Sequence, residues 1–229
     1  MRLLLFLAVC LPASLAVAAA PPPRGSIVGV VRFSGKLPPP RKLATTDGTL
    51  LHRDLLVQAR SLGVRDVVVS LADAPAQPPL RGGDPEYMDQ RELLFVPRVL
   101  AIQQGRAVRF DNSDACNHSV QANSTIAANA FNLFVPPSKP IDHRFVAQKH
   151  PVQIGCSLHA WMRAWIYVFD HPWFAVTAED GSFRIDHVPA GKHTLWLRHA
   201  DTGLQVRLSI VVRDGHLTRV NHTWEALPP

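Results

Sequence analysis

The chain has 229 residues, of which 47% are hydrophobic and 18% charged, so it can bury a core and wholesale disorder is excluded. Twenty prolines against thirteen glycines, with only 7% aromatic residues, indicate short strands and turns more than long helices. The formal net charge is +6, but the basic residues are scattered, so nucleic acid is not the expected partner. Three cysteines are too few for a scaffold stapled by disulfides.

Residues 1–20 have the parts of a cleavable secretory signal peptide. Arg2 provides the basic start, residues 3–15 are apolar, and residues 16–18 form a small-x-small cleavage site. The apolar part is too short to span a bilayer, and no later stretch approaches that length. We therefore predict export to the periplasm, with a mature chain that begins near residues 19–21 and has no membrane span. An uncleaved N-terminal anchor is the alternative.

The first part of the mature chain predicts two strands and one helix. The strands are residues 26–33 and 67–71, which are rich in β-branched residues. Between them, Leu51, Leu55 and Leu62 lie at helical spacing before Gly63, which predicts a short helix. Residues 73–86 are rich in proline and glycine and are typical of a linker.

Short strands continue after the linker and fill the rest of the chain. The pattern predicts them at residues 92–95, 98–102, 107–110, 141–147, 151–155, 164–169, 174–177, 182–185, 193–198 and 205–212. Turn residues such as Asp214-Gly215 separate the last of them. Strands of this length and spacing predict an all-β protein built from β-sandwiches.

The C-terminal part carries the pattern T-x-x-D-G-x-F-x-I-x-x-V-P-A-G-x-x-T-L-x-L at residues 177–197. It resembles the carboxypeptidase regulatory-like domain, a small transthyretin-like sandwich. In that family the hairpin follows directly on two opening strands, which are found here at residues 28–31 and 67–71. The resemblance implies that this sandwich comprises residues 25–85 and 172–227, with a second domain, residues 86–171, inserted between them. Two consecutive domains are the alternative.

Within residues 86–171 two motifs carry the chemistry. The stretch from Phe95 to Val120 is F-x-P-x-x-L-x-I-x-x-G-x-x-V-x-F-x-N-x-D-x-x-x-H-x-V, and Cys156 begins the loop C-x-x-H-x-x-M. Together they resemble the cupredoxin (plastocyanin/azurin) family, and the loop has amicyanin-type spacing. The resemblance implies a Greek-key β-sandwich with one mononuclear type 1 copper.

The residue types also indicate copper by themselves. Two imidazoles, one thiolate and a weak thioether form a trigonal copper centre with a long axial bond, a set that suits both Cu(I) and Cu(II). The expected ligands are His118, Cys156 and His159 in the plane and Met162 as the axial sulfur. The other nine histidines lack such spacing, and we expect them to be solvated or structural.

Two neighbours of His118 depart from the cupredoxin pattern. Ser119 stands where the family commonly has asparagine, so we expect a looser tie to the cysteine loop. Cys116 would point to the same side as His118 if both lay in one strand, and so could approach Cys156. Three alternatives remain open for Cys116: a thiol buried beside the site, a disulfide with Cys156 in the metal-free protein, or a ligand that favours zinc or Cu(I).

The predicted function is one-electron transfer rather than catalysis. The sequence has no G-x-S-x-G, no H-E-x-x-H and no glycine-rich phosphate loop. Proteins with this resemblance are often described as methylamine-utilisation or plastocyanin-like proteins, which implies a redox partner such as a periplasmic dehydrogenase or cytochrome. Copper delivery without redox turnover is the main alternative, and an assembly module with a structural metal is the third.

The loop that carries His159 also predicts where electrons enter or leave. Leu158, Ala160 and Trp161 are apolar, and Arg163 follows, so a small apolar patch with a charged rim is expected around His159. The alternative is that Trp161 is buried against the second sandwich and shields this face.

Overall fold

The structure is a computed structural model that describes residues 22–45 and 48–228. The predicted signal peptide, residues 1–20, lies outside the described residues. No helix in the described ranges has the length and apolar character that crossing a bilayer requires.

The described residues form strands and one short 3-10 turn, Ala127–Asn129, so the all-β prediction is confirmed. The strands are β1 (Arg24–Phe33), β2 (Arg41–Thr45), β3 (Gly48–His52), β4 (Val68–Leu71), β5 (Glu86–Arg91), β6 (Leu94–Val96), β7 (Val99–Gln103), β8 (Ala107–Asn112), β9 (His118–Asn123), β10 (Phe131–Val135), β11 (Ile141–Arg144), β12 (Val152–Gly155), β13 (Arg163–Phe169), β14 (Phe174–Val176), β15 (Ser182–Pro189), β16 (Gly191–Arg198), β17 (Gln205–Val212) and β18 (Leu217–Trp224).

The helix predicted around Leu51, Leu55 and Leu62 is wrong. Leu51 lies in β3, which pairs with β2 as a hairpin, and its side chain is 62% exposed. Leu62 has a positive φ of 57°, which lies outside the right-handed helical region. The leucine spacing therefore did not reflect one buried face: only Leu55 of the three is in the core.

The first sandwich packs the sheet β15-β1-β18 against the sheet β14-β4-β16-β17. β1 is its central strand, antiparallel to β15 and parallel to β18. Gly29 is required in β1, because a Cβ atom there would lie 1.6 Å from the carbonyl oxygen of Val220 on β18. The core contains Ile27, Val31, Phe33, Val69, Leu195 and Leu197, among others.

The second sandwich packs the sheet β10-β9-β12-β13-β7 against the sheet β11-β8-β5-β6. Its core contains Met88, Phe110, Val120, Phe145, Ile154 and Ile166, and it extends to Cys156 and Met162. Alternate residues of β8 and β12 point into this core, as the period of two in a strand requires. Cys156 and Met162 thus lie at one end of the core, in the loop between β12 and β13.

The two sandwiches contact each other through the outer face of β7 and β13. Val99 and Tyr167 form a small buried cluster there with Val68 of β4. Beside it, the side chain of Asp201 is 3% exposed and lies 2.8 Å from Nε of Arg98 and 3.3 Å from Nε of Arg163. Arg163 directly follows Met162 and begins β13. Its ion pair with Asp201 therefore joins the start of β13 to the β16–β17 connection of the first sandwich.

Candidate metal centre

Strand pairing brings the four predicted ligands to the same end of the second sandwich. His118 is the first residue of β9, and β9 pairs antiparallel with β12. Cys156, His159 and Met162 lie in the loop between β12 and β13. Since Gln121 of β9 is opposite Gly155 of β12, the start of β9 is adjacent to the cysteine that follows β12.

Three donor atoms form a compact triangle. Nδ1 of His118 and Nδ1 of His159 are 3.0 Å apart, and Sγ of Cys156 lies 3.8 Å from the first and 3.7 Å from the second. A point equidistant from the three atoms is about 2 Å from each, close to the ~2.0 Å of metal–imidazole and ~2.3 Å of metal–thiolate bonds. The donor set and its spacing therefore fit one copper ion.

Met162 is buried in the core of the second sandwich. Its side chain is 1% exposed and packs in the same core cluster as Cys156. Its backbone N–H donates to the carbonyl oxygen of His159 at 3.0 Å, which closes the loop into a tight turn. Met162, buried with Cys156 and three residues after His159, therefore stays the predicted axial ligand.

Asp114 orients the imidazole of His118, a role that the sequence analysis did not assign. Its Oδ2 lies 2.9 Å from Nε2 of His118, which leaves Nδ1 directed towards the triangle. Partial burial by itself would raise the pKa of Asp114, but hydrogen bonds from the Leu93 amide, His118 and the Glu92 amide hold that pKa below its ordinary value. In metal sites, the ring nitrogen of a ligand histidine that does not bind the metal commonly donates a hydrogen bond to a carboxylate, as it does here.

Asn112 fixes the segment that carries Asp114. Its Nδ2 donates to the carbonyl oxygens of Cys116 at 2.9 Å and Val135 at 2.8 Å, and its Oδ1 accepts from the Asp114 amide at 3.1 Å. Asn112 and Asp114 are the asparagine and the aspartate of F-x-N-x-D in the cupredoxin-like stretch. That signal was present in the sequence, but only the contacts show what each side chain does.

Ser119 ties the cysteine loop to β9 through its hydroxyl and its backbone amide. Its Oγ accepts from the Ser157 amide at 2.8 Å and lies 2.7 Å from the Ser157 hydroxyl. Its backbone N–H donates to Sγ of Cys156 at 3.3 Å. A hydroxyl is long enough to reach the loop here, and the looser tie expected of Ser119 relative to asparagine stays a prediction.

Cys116 is placed differently from its predicted position. It precedes β9 rather than lying in it, and it is exposed instead of buried beside the site. No disulfide joins it to Cys156. Its Sγ lies 3.5 Å from Nε2 of His118, and Cys116, His118 and His159 can each direct one donor atom to within 4.8 Å of the others. A second thiol is therefore near the imidazole pair, and it contacts the ring nitrogen of His118 that faces Asp114.

The surface around His159 combines exposed and half-buried apolar groups. Leu158 is 55% exposed, and Ala160 is exposed as well. The ring of Trp161 lies 5.2 Å from the imidazole of His159, and its Nε1 donates to the carbonyl oxygen of Leu93 at 3.2 Å. Trp161 thus packs on the β5–β6 turn of its own sandwich.

The remaining histidines form no second metal group among the described residues. His171 and His199 are buried, and burial lowers the pKa of both, that of His199 to about 4. His187 and His193 lie on either side of the turn between β15 and β16.

Comparisons with known proteins give only distant similarities. No family model matches the chain, and no curated protein matches it. Solved structures that match include a copper-containing nitrite reductase from Thermus scotoductus SA-01 (20% identity, TM-score 0.34, 40% of this chain), of which the chain spans only 25%. A purple cupredoxin from Nitrosopumilus maritimus matches at 20% identity and TM-score 0.32, over 37% of this chain and 99% of its own. Amicyanin from Paracoccus versutus matches at 14% identity and TM-score 0.33, over 44% and 97%. With such low scores, these similarities assign no function, which must be argued from the site.

Proposed function

We propose that this protein is an exported electron carrier with one mononuclear type 1 copper, bound by His118, Cys156 and His159 with Met162 as the axial ligand. The observation that carries the proposal is the triangle of two imidazole nitrogens and one sulfur at 3.0, 3.8 and 3.7 Å. When bound, copper supplies a one-electron Cu(II)/Cu(I) couple.

The chain's own residues keep the donor atoms in place during such a cycle. Asp114 holds His118 at Nε2, the ring nitrogen outside the donor triangle. The Ser119 amide and hydroxyl hold the cysteine loop. Burial of Met162 and Cys156 excludes water from the interior side of the site. A preorganised site of this kind needs little rearrangement when an electron moves, which favours rapid transfer.

The domain organisation that we propose is an insertion. β1 and β4 pair with strands that follow residue 172, whereas β5 to β13 pair only with one another among the described residues. This pairing supports a transthyretin-like sandwich of residues 25–85 and 172–227 that carries a cupredoxin domain of residues 86–171. Export to the periplasm through a signal peptide at residues 1–20 belongs to the same proposal, and the intact mass of the exported protein tests it.

The partner that we propose is a redox protein, such as a periplasmic dehydrogenase or cytochrome, rather than a substrate for catalysis. The exposed Leu158 and Ala160 beside the half-buried His159 support docking at this end of the sandwich. Small apolar contacts with a polar rim suit a short-lived complex.

A second function, copper delivery without redox turnover, is favoured by one observation. Cys116 places another exposed thiol 3.5 Å from His118, and an additional soft donor would stabilise Cu(I). In that case the bound metal would pass readily to a competing chelator.

Optical and EPR spectra of the copper-loaded mature protein distinguish the two functions. Electron transfer predicts an intense Cu(II)–thiolate band that is lost on reduction and returns on oxidation. A protein that accepts only Cu(I) and surrenders it to a chelator, with no thiolate band in the oxidised sample, would contradict the proposal.

A further inference from the structure

We propose that the cleft between the two sandwiches binds a small organic carboxylate through the guanidinium of Arg198. Arg198 is the last residue of β16, and its side chain lies on the outer face of the second sandwich near Tyr167 and Phe169 of β13. The inference is independent of copper, because the cleft shares no residue with the proposed metal site.

The first argument is that Arg198 is buried without a carboxylate. The residue is only 9% exposed, and no ion pair of Arg198 is found within the described ranges. Arginine is almost never buried to this extent unless it is paired. Burial accordingly lowers the pKa of Arg198 from its ordinary value.

The second argument is that the guanidinium has donors to spare. Nη1 donates to the carbonyl oxygen of Lys149 at 3.1 Å, and Nη2 makes a long contact of 3.5 Å with Oγ of Ser70. Nε is buried and has no hydrogen-bond acceptor. Because Nη1 and Nη2 each carry a second N–H beyond these contacts, a carboxylate in the cleft could accept from both, a bidentate geometry that arginine favours.

Aromatic rings pack near the guanidinium of Arg198, so a ligand would bind at its edge, where the N–H groups point. The guanidinium carbon lies 4.0 Å from the ring centre of Trp196 and 4.8 Å from that of Tyr167. Cation–π contacts of this kind help to tolerate the charge, but they satisfy none of its N–H donors. The in-plane donors therefore remain to be satisfied.

The cleft itself has the size and lining of a ligand site. It encloses about 340 Å³, within the ~300–1,000 Å³ usual for small-molecule sites, and it lies between domains, where such sites often occur. Leu71, Val168 and Trp196 provide apolar surface, and the polar lining comprises Ser70, Gln148, Lys149, Asp170, His171 and Arg198. Asp170 is the one acidic residue among the lining, so the two basic residues outnumber it. A cationic edge next to apolar surface suits an organic anion more than a bare inorganic one.

Benzoate and its uncharged analogue benzamide test the proposal on the copper-free mature protein. Isothermal titration should show saturable binding of benzoate and none of benzamide. In ¹H–¹⁵N spectra, the guanidinium resonances of Arg198 should shift during the benzoate titration. Arg198→Gln should weaken benzoate binding about tenfold or more, because a charge-assisted bidentate contact is lost.

Arg207→Gln is the matched control. The guanidinium carbon of Arg207 lies 4.4 Å from the centre of the same Trp196 ring, but Arg207 does not line the cleft, so benzoate binding should be unchanged. If Arg198→Gln does not fold, Lys149→Gln provides the test, since it should still weaken binding several-fold. Equal binding of benzoate and benzamide, or no saturable binding of benzoate to the wild-type protein, would overturn the proposal and leave Arg198 as a structural residue.

Discussion

The carboxylate of Asp114 lies 2.9 Å from Nε2 of His118, and this contact directs the other nitrogen of the ring towards Cys156 and His159. The carboxylate is itself held by the amides of Glu92 and Leu93 at 2.7 and 3.0 Å. Since an ionised carboxylate can only accept, Nε2 carries the hydrogen and Nδ1 keeps its lone pair for a metal. The β5–β6 turn thus selects the tautomer of a ligand on β9.

Asp114→Ala should weaken copper binding about 10- to 100-fold, because the support of a ligand histidine is lost. Competition with a chromophoric chelator measures the affinity. Asp142→Ala is the control, since Asp142 is an exposed carboxylate that pairs with Arg109. ¹⁵N spectra of the metal-free variant should also show a mixture of His118 tautomers. Unchanged affinity with an unchanged tautomer would show that Asp114 does not position the ring.

The two cysteines should behave differently on substitution. Cys156→Ala is expected to abolish the thiolate-to-copper absorption, because Sγ of Cys156 completes the donor triangle. Cys116→Ser should leave the visible spectrum nearly unchanged, because its Sγ faces Nε2 of His118. If the band persisted in Cys156→Ala, or was lost in Cys116→Ser, the assignment of Cys156 as the thiolate ligand would be wrong.

Met162→Leu should keep the copper and raise its reduction potential. Met162 is 1% exposed in the core, and leucine has a similar volume, so the fold should tolerate the change. A long thioether bond contributes electron density more than affinity, so its loss favours Cu(I). Voltammetry of the wild type and the variant measures the shift, and an unchanged potential would exclude Met162 from the axial position.

Leu158→Asp should slow electron exchange with a partner or a small redox mediator without changing the copper spectrum. The side chain is 55% exposed next to His159, so a charge there disturbs docking and not the fold. Leu217→Asp is the control, since Leu217 is 44% exposed on β18 of the first sandwich. Stopped-flow rates should fall only in the first variant; equal rates in both would place the electron port elsewhere.

Stability should fall as the solution is acidified from about pH 6.5 to about pH 4. Burial lowers the pKa of His199 to about 4, while in the unfolded chain it keeps its ordinary value. The unfolded state therefore binds a proton that the native state does not, and the loss can reach roughly 3 kcal/mol. Burial of His171 acts in the same direction. Urea unfolding of the metal-free protein at several pH values measures the slope.

His199→Gln should flatten this pH dependence, whereas His150→Gln, at an exposed position, should leave it intact. A slope that is the same in the wild type and in His199→Gln would show that other groups cause the acid sensitivity.

The spacing of residues along the chain was sufficient to predict the fold class and the candidate ligands. Short β-rich segments separated by turn residues predicted strands at most of the places where the structure has them. The missed strands are β2, β3, β5, β9, β10 and β18, and β9 and β18 show one reason. Both mix polar residues into an otherwise apolar strand, one at the metal site and one at a sheet edge.

The amino-acid sequence by itself determined the chemistry that the metal loop offers, because Cys156, His159 and Met162 lie within one turn whose closure is local. Tertiary structure decided the rest. Whether Asp114 reaches His118, whether Cys116 lies inside or outside the core, and whether Arg198 meets a carboxylate all depend on the register of strands and on how two sandwiches pack. These contacts join residues on different elements, and a pattern read along one chain specifies which face a residue occupies but not which residue it will face.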